Sequence, residues 1–124
     1  MTTDAMRIAR ATYQAYVDKD RDALEALIAE DFHFTSPLDN RLDRATYFER
    51  CWPNAERIED FGYMHMVPDG DRVIVTYEGH TLDGRGFRNT EILTIRGSQL
   101  VDAEVYFGWR LPHTAAAGES VQQE

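Results

Sequence analysis

A glutamate in the middle of an apolar alternation is the residue of this chain best placed to do chemistry. Glu91 stands between Asn89 and Leu93 at period-two spacing, in a stretch that runs from Phe87 to Ile95. On a half-buried strand such a carboxyl must be paired or hold its proton above the usual range, because burying a free carboxylate is costly. Groups in that state cluster where proton transfer occurs. His65, in Tyr63-Met64-His65-Met66, titrates near neutrality when unperturbed and suits a proton relay beside it. Tyr16 and Trp52 each combine a large apolar body with a polar tip that needs a partner. The chemistry predicted is general acid–base catalysis in an apolar pocket. His65, His80 and Glu91 are not at i, i+4 spacing and no HExxH-type motif occurs, so no metal and no cofactor is expected. Cys51, on the apolar side of a predicted helix, reads as packing.

Two kinds of element must position these groups. Met6, Ala9, Tyr13, Tyr16 and Val17 recur at helical spacing after Thr2, Thr3 or Asp4 as a cap, and Asp18-Lys19-Asp20 breaks that helix. A second helix from Asp20 or Arg21 has Ala23, Leu24, Leu27 and Ile28 as its stripe and ends at Glu30-Asp31. Phe32 to Ser36 alternates like a strand and stops at Pro37. Asp43 caps a third helix bearing Tyr47, Phe48, Cys51 and Trp52, closed by Pro53. Period two then takes over in Phe61–Val67, Arg72–Thr81, Phe87–Ile95 and Leu100–Trp109, with turns at Asp69-Gly70, Asp83-Gly84 and Gly97-Ser98. The order predicts an α+β domain, with three helices over a curved antiparallel sheet.

Hairpin counting assigns the faces. A two-residue turn at Asp83-Gly84 sets Thr76 opposite Glu91, so that Ile74, Thr76, Glu78 and His80 share a face with Phe87, Asn89, Glu91, Leu93 and Ile95. Counting through Asp69-Gly70 adds Tyr63 and His65 to that face. The pocket predicted under the helices is lined by Tyr13, Phe34, Ser36, Trp52, Tyr63, Thr76, Asn89 and Phe107. Val73, Val75 and Tyr77 fall on the other face, which is also apolar and which a second copy of the chain would cover.

Composition narrows the partners. The 124 residues make one domain, 1–111, with a loose polar tail, 112–124. A net charge of −9 repels phosphate backbones, which speaks against nucleic acid. No apolar run is long enough to span a membrane. Met1 to Asp4 lacks the basic and apolar blocks of a signal peptide, and a single cysteine suits a reducing, cytoplasmic setting.

At residue level the chain carries a likeness. Tyr16-Val17-Asp18-Lys19-Asp20, Ala23-Leu24, Leu27 and Ala29-Glu30-Asp31-Phe32 resemble the N-terminal signature of the nuclear-transport-factor-2-like superfamily. Arg88-Asn89-Thr90-Glu91 and Glu104 to Trp109 resemble its SnoaL-like branch. The likeness spans about residues 5 to 110 and implies a cone-shaped α+β barrel, usually dimeric. Ketosteroid isomerases of this fold place a base just before the proline that ends the first strand, and this chain has Ser36 there, which speaks against steroid isomerisation. Limonene-type epoxide hydrolases need an Arg and two Asp, where this chain has Asn89 and Glu91. SnoaL-like polyketide cyclases need one acid or base in a large apolar cavity, and Glu91 with His65 could serve. Taken together, the expectation is a homodimeric pocket protein for a small apolar organic ligand. As an isomerase, cyclase or dehydratase it would use Glu91 for proton transfer, His65 as relay and Tyr16 as donor to the oxyanion. The alternative is a pocket that binds without catalysis.

Overall fold

The computed structural model describes residues 4–122. Helix α1 (Asp4–Asp18) and helix α2 (Arg21–Leu27) lead into strands β1 (Ile28–Ser36) and β2 (Asp39–Asp43). Helix α3 (Arg44–Arg50) and a 3-10 segment (Trp52–Arg57) follow, then β3 (Ile58–Asp69), β4 (Arg72–Thr81), β5 (Gly86–Arg96) and β6 (Gln99–Leu111). Of the residues offered as the first cap, Thr2 and Thr3 lie outside the described residues. The Asp20 carboxylate accepts from Ala23 N and that of Asp43 from Thr46 N, so both predicted acidic caps close their helices.

All strands join one curved, unclosed sheet in the order β2-β1-β6-β5-β4-β3. The first strand lies parallel to β6, and every other pairing is antiparallel. The first half of the chain departs from the sequence reading at a boundary and at a whole strand. Ile28 ends the α2 stripe by opening β1 instead, and its N–H closes the helix on the Leu24 carbonyl. The short strand β2, Asp-Asn-Arg-Leu-Asp, was not predicted because an edge strand with mostly polar residues shows no alternation.

The helices lie on one face of the sheet around Ile8, Leu24, Phe32, Val73, Val75, Leu93 and Leu100, all essentially solvent-free. Register decides which residues share that face. His80 pairs with Gly86, so five residues, Thr81 to Arg85, lie between the last paired residues of β4 and β5, where a two-residue turn would leave two. Asp83 is the reason. Its carboxylate accepts from both Arg85 N and Thr81 Oγ1, while Thr81 N donates to the Arg85 carbonyl. Compared with the two-residue count, the pairing slips by one residue and β4 turns over. Val73, Val75 and Tyr77 face the helices opposite Leu93, Glu91 and Asn89. Thr76 faces outward, its hydroxyl 2.8 Å from that of Thr90, which corrects its placement in the pocket. Glu78 and His80 turn outward with it.

Tyr63 reaches the inner face by a different route. A register shift between Tyr63 and His65 sets Tyr63 opposite Tyr77 and His65 opposite Thr76. Met64 is the extra residue, and the two neighbours expected together point to opposite sides. The outer face also exposes Met64, Val67, Tyr106 and Trp109.

Two glycines mark close approaches. A Cβ on Gly79 would run into the Phe87 ring, and one on Gly108 into the Arg88 carbonyl oxygen. A ring can swing aside, whereas a paired backbone carbonyl cannot. Gly79→Ala should therefore destabilise the fold by about 1–3 kcal/mol, and Gly108→Ala by more, as read from urea unfolding midpoints.

Candidate functional site

Between the helices and the inner sheet face lies a cavity of about 550 Å³. Its floor is β5 and β6, its walls come from α1 and α3, and one side is formed by the β1–β2 hairpin. Glu91 sits in the floor, between Val75 on β4 and Val105 on β6. The little surface it keeps opens into this cavity. Stripped of water, its carboxyl is raised above the ordinary glutamate range, while the Tyr77 and Tyr13 hydroxyls pull weakly the other way.

Four tyrosines surround that carboxyl, and each is explained by its element. Tyr13 and Tyr16 lie one turn apart on the inner side of α1, Tyr47 on the buried side of α3, and Tyr77 on the inward face of β4. Burial, first, and the Glu91 charge push the Tyr13 and Tyr77 phenols well above their usual value. Tyr16 and Tyr47 are raised chiefly by burial too. All four therefore stay protonated and can donate. The Tyr16 and Tyr47 hydroxyls bond each other at 2.5 Å. Tyr77 accepts a long bond from the Asn89 amide at 3.5 Å, and Asn89 is itself fixed by accepting from Gly108 N.

The Tyr13 hydroxyl differs from the others. It is buried, lines the cavity and has no hydrogen bond of ordinary geometry, although it lies close enough to Glu91 to feel its charge. Its nearest acceptor is the Glu91 carboxyl, toward which it makes a poorly aligned contact.

Of the residues read as site candidates, the fold brings Glu91, Tyr16, Tyr13, Phe34, Ser36, Asn89 and Phe107 to this cavity. It does not bring His65, which is exposed on the outer side of β3 opposite Thr76 and does not meet Glu91. Tyr63 faces inward but packs edge-on against Tyr13, under the guanidinium of Arg10, without lining the cavity. Trp52 stands behind Tyr16, their rings 5.2 Å apart. Sequence reasoning missed Tyr47 and Tyr77 as site residues. Tyr77 was legible, since Val73-Val75-Tyr77 is the more apolar of the two faces of β4. Among the described residues no group of three or more His, Cys, Asp or Glu is placed to hold a metal ion, and no helix is long and apolar enough to cross a membrane.

A curved, unclosed sheet with three helices over one face and a polar-tipped cavity between them defines a nuclear-transport-factor-2-like cone. Residues 9–103 match the profile of the SnoaL-like domain, and the chain belongs to that family. Three solved structures share the architecture. An LEH-like epoxide hydrolase from M. tuberculosis superposes with a TM-score of 0.73 at 17% identity, over 86% of this chain and 84% of its own. A candidate ketosteroid isomerase from Kribbella flavida gives 0.71 at 14% identity, covering 98% and 90%. An NTF2-like protein of unknown function from Cytophaga hutchinsonii gives 0.69 at 16%, covering 87% and 92%. At these identities the likeness is one of fold. No curated protein sequence matches the chain.

The raised Glu91 carboxyl has a consequence for stability. Between the ordinary glutamate range and its raised value, the folded chain binds more protons than the unfolded one, so stability falls as pH rises through that window. Urea unfolding of the wild type and of Glu91→Gln across pH 4 to 9 should show the wild type losing stability relative to the variant as pH rises. A pH-independent difference would contradict this.

Proposed function

We propose that this protein binds a small, mostly apolar organic carbonyl compound in the cavity and moves a proton on it, as an isomerase, cyclase or dehydratase. The observation that carries the reading is Glu91, a carboxyl with a raised pKa set among tyrosine hydroxyls in an otherwise apolar cavity. A solvated glutamate at neutral pH only accepts hydrogen bonds. One that holds its proton longer can donate it to a substrate oxygen. Tyr16, backed by the Tyr47 hydroxyl, supplies a second donor for negative charge developing on that oxygen. Apolar walls strengthen both contacts by excluding water. A purely structural Glu91 would be held by a tyrosine, histidine or arginine in a closed interior; Tyr77 and Tyr13 do stand beside it, but the interior is not closed. Among the described residues no ion pair involves Glu91, and the space beside it is open.

The outer sheet face, with Met64, Val67, Tyr106 and Trp109 exposed, is the surface through which we expect two copies to pair.

Glu91→Gln keeps the shape of the side chain and removes its acid. On the substrate, it should lower kcat by about 100-fold or more while the binding constant of an unreactive analogue stays the same. Loss of binding without a separate effect on kcat would favour a pocket that only binds. Full turnover in the variant would remove Glu91 from the reaction.

A further inference from the structure

A carbonyl held against Glu91 and Tyr16 occupies the floor end of the cavity. The other end is its mouth, marked by the four lining residues that are also solvent-exposed: Leu38, Arg50, Asn54 and Phe107. Two of them are apolar and two are hydrogen-bond donors.

Arg50 is the single cation among the lining residues. Other arginines of the chain are spent on the protein itself: Arg88 on Glu78, Arg96 on Asp31, and Arg44 on the carbonyls of Glu25 and Ile28. Among the described residues Arg50 makes no ion pair and no hydrogen bond through its side chain. It ends α3, where a cation suits the negative end of the helix. That fixes where it stands and leaves its five N–H donors unused. Asn54, four residues on, repeats the pattern. Its backbone N–H bonds the Cys51 carbonyl, while its side-chain amide has no partner among the described residues. Two unspent donors therefore stand at one mouth.

One carboxylate shares this end of the cavity. Asp39 accepts from Ser36 Oγ at 2.8 Å and does not pair with Arg50. Together with the net charge of −9 it weighs against a ligand group carrying more than one negative charge. One guanidinium balances one charge, and its planar fork matches the two oxygens of a carboxylate. The Cys51 thiol connects mouth and floor. Burial chiefly pushes it up to about 11, Asp39 and Glu91 add to the rise, and Arg50 opposes it. Both ends are thus within electrostatic reach of one side chain, and a cavity of about 550 Å³ is of the size that a single small molecule fills.

We infer that the ligand is an oxo acid with an apolar body, whose carboxylate is held at the mouth by Arg50, with Asn54 as a second donor, while its carbonyl lies at Glu91 and Tyr16. The inference rests on the carbonyl reading of the cavity given above and adds the ligand's second functional group. Leu38 and Phe107 supply the apolar part of the mouth, against which the body of the ligand lies. Arg50 is then a specificity-determining residue. It selects a charged ligand from neutral ones of the same shape and takes no part in moving the proton.

The test compares 6-acetyl-2-naphthoic acid, which carries a ketone and a carboxylate at opposite ends of two fused rings, with its carboxamide, which keeps the shape without the charge. Isothermal titration calorimetry at pH 7.5 should show the acid binding about 5- to 10-fold more tightly, with the gap narrowing as salt is raised. Arg50→Gln should close the gap by weakening the acid and not the amide. Arg50→Lys keeps the charge without the fork and should retain part of it. Asp39→Asn, which removes a like charge from the same end of the cavity, should widen it. Equal binding of acid and amide by the wild type would overturn the inference and leave the carbonyl reading standing. A preference for the acid that survives Arg50→Gln would overturn the assignment to Arg50. Binding of neither compound would overturn the inference together with the pocket reading beneath it.

Discussion

Six strands present a wider inner face than helices of 15, 7 and 7 residues can cover, and this shortfall governs the rest of the molecule. Near α1 and α2 the sheet is sealed by Ile8, Leu24, Phe32, Val73 and Leu93, which hold the fold together. Toward the β1–β2 hairpin and α3 the cover gives out and the cavity begins. Native interiors close such space unless something needs it. Here it is kept open by rigid aromatic side chains that brace one another: Tyr13 against Phe61 and Tyr77, Phe34 against Tyr47, Tyr16 against Trp52.

Those braces have a second role because most of them end in hydroxyls. Tyrosine fills space like phenylalanine and brings a donor with it. The environment around Glu91 is therefore apolar in bulk and polar at a few points, which raises its carboxyl above the ordinary glutamate range without leaving it unsolvated altogether. The poorly aligned Tyr13 hydroxyl and the left-handed Arg41 backbone, φ 49°, are local costs that the well-packed end of the domain offsets.

The two carboxyls differ by setting more than by kind. Glu91 is in the floor, where desolvation dominates. Asp39 is on a polar edge hairpin, held by a serine hydroxyl.

The helical spacing of the first third, the Asp caps and the period-two alternation are local, and by themselves they determined the three helices, five of the six strands and the α+β class. Glu91 was legible too, since a carboxyl within Phe87-Asn89-Leu93-Ile95 sits on the apolar face of its own strand whatever the partner. What needed the tertiary structure was everything that depends on counting across a turn. The Asp83 side chain chose a five-residue connection over a two-residue one. That single residue of slip exchanged Thr76 for Tyr77 at the cavity, and the extra residue at Met64 sent His65 to the far side. The same holds for Asp39. It lies three residues from Ser36 in a segment without alternation, and a register shift between Phe34 and Ser36 sets the two opposite each other at the edge of the cavity. Side-chain period along a strand is a property of the chain itself, whereas register is settled by turn hydrogen bonds and bulges that compete within a few kcal/mol.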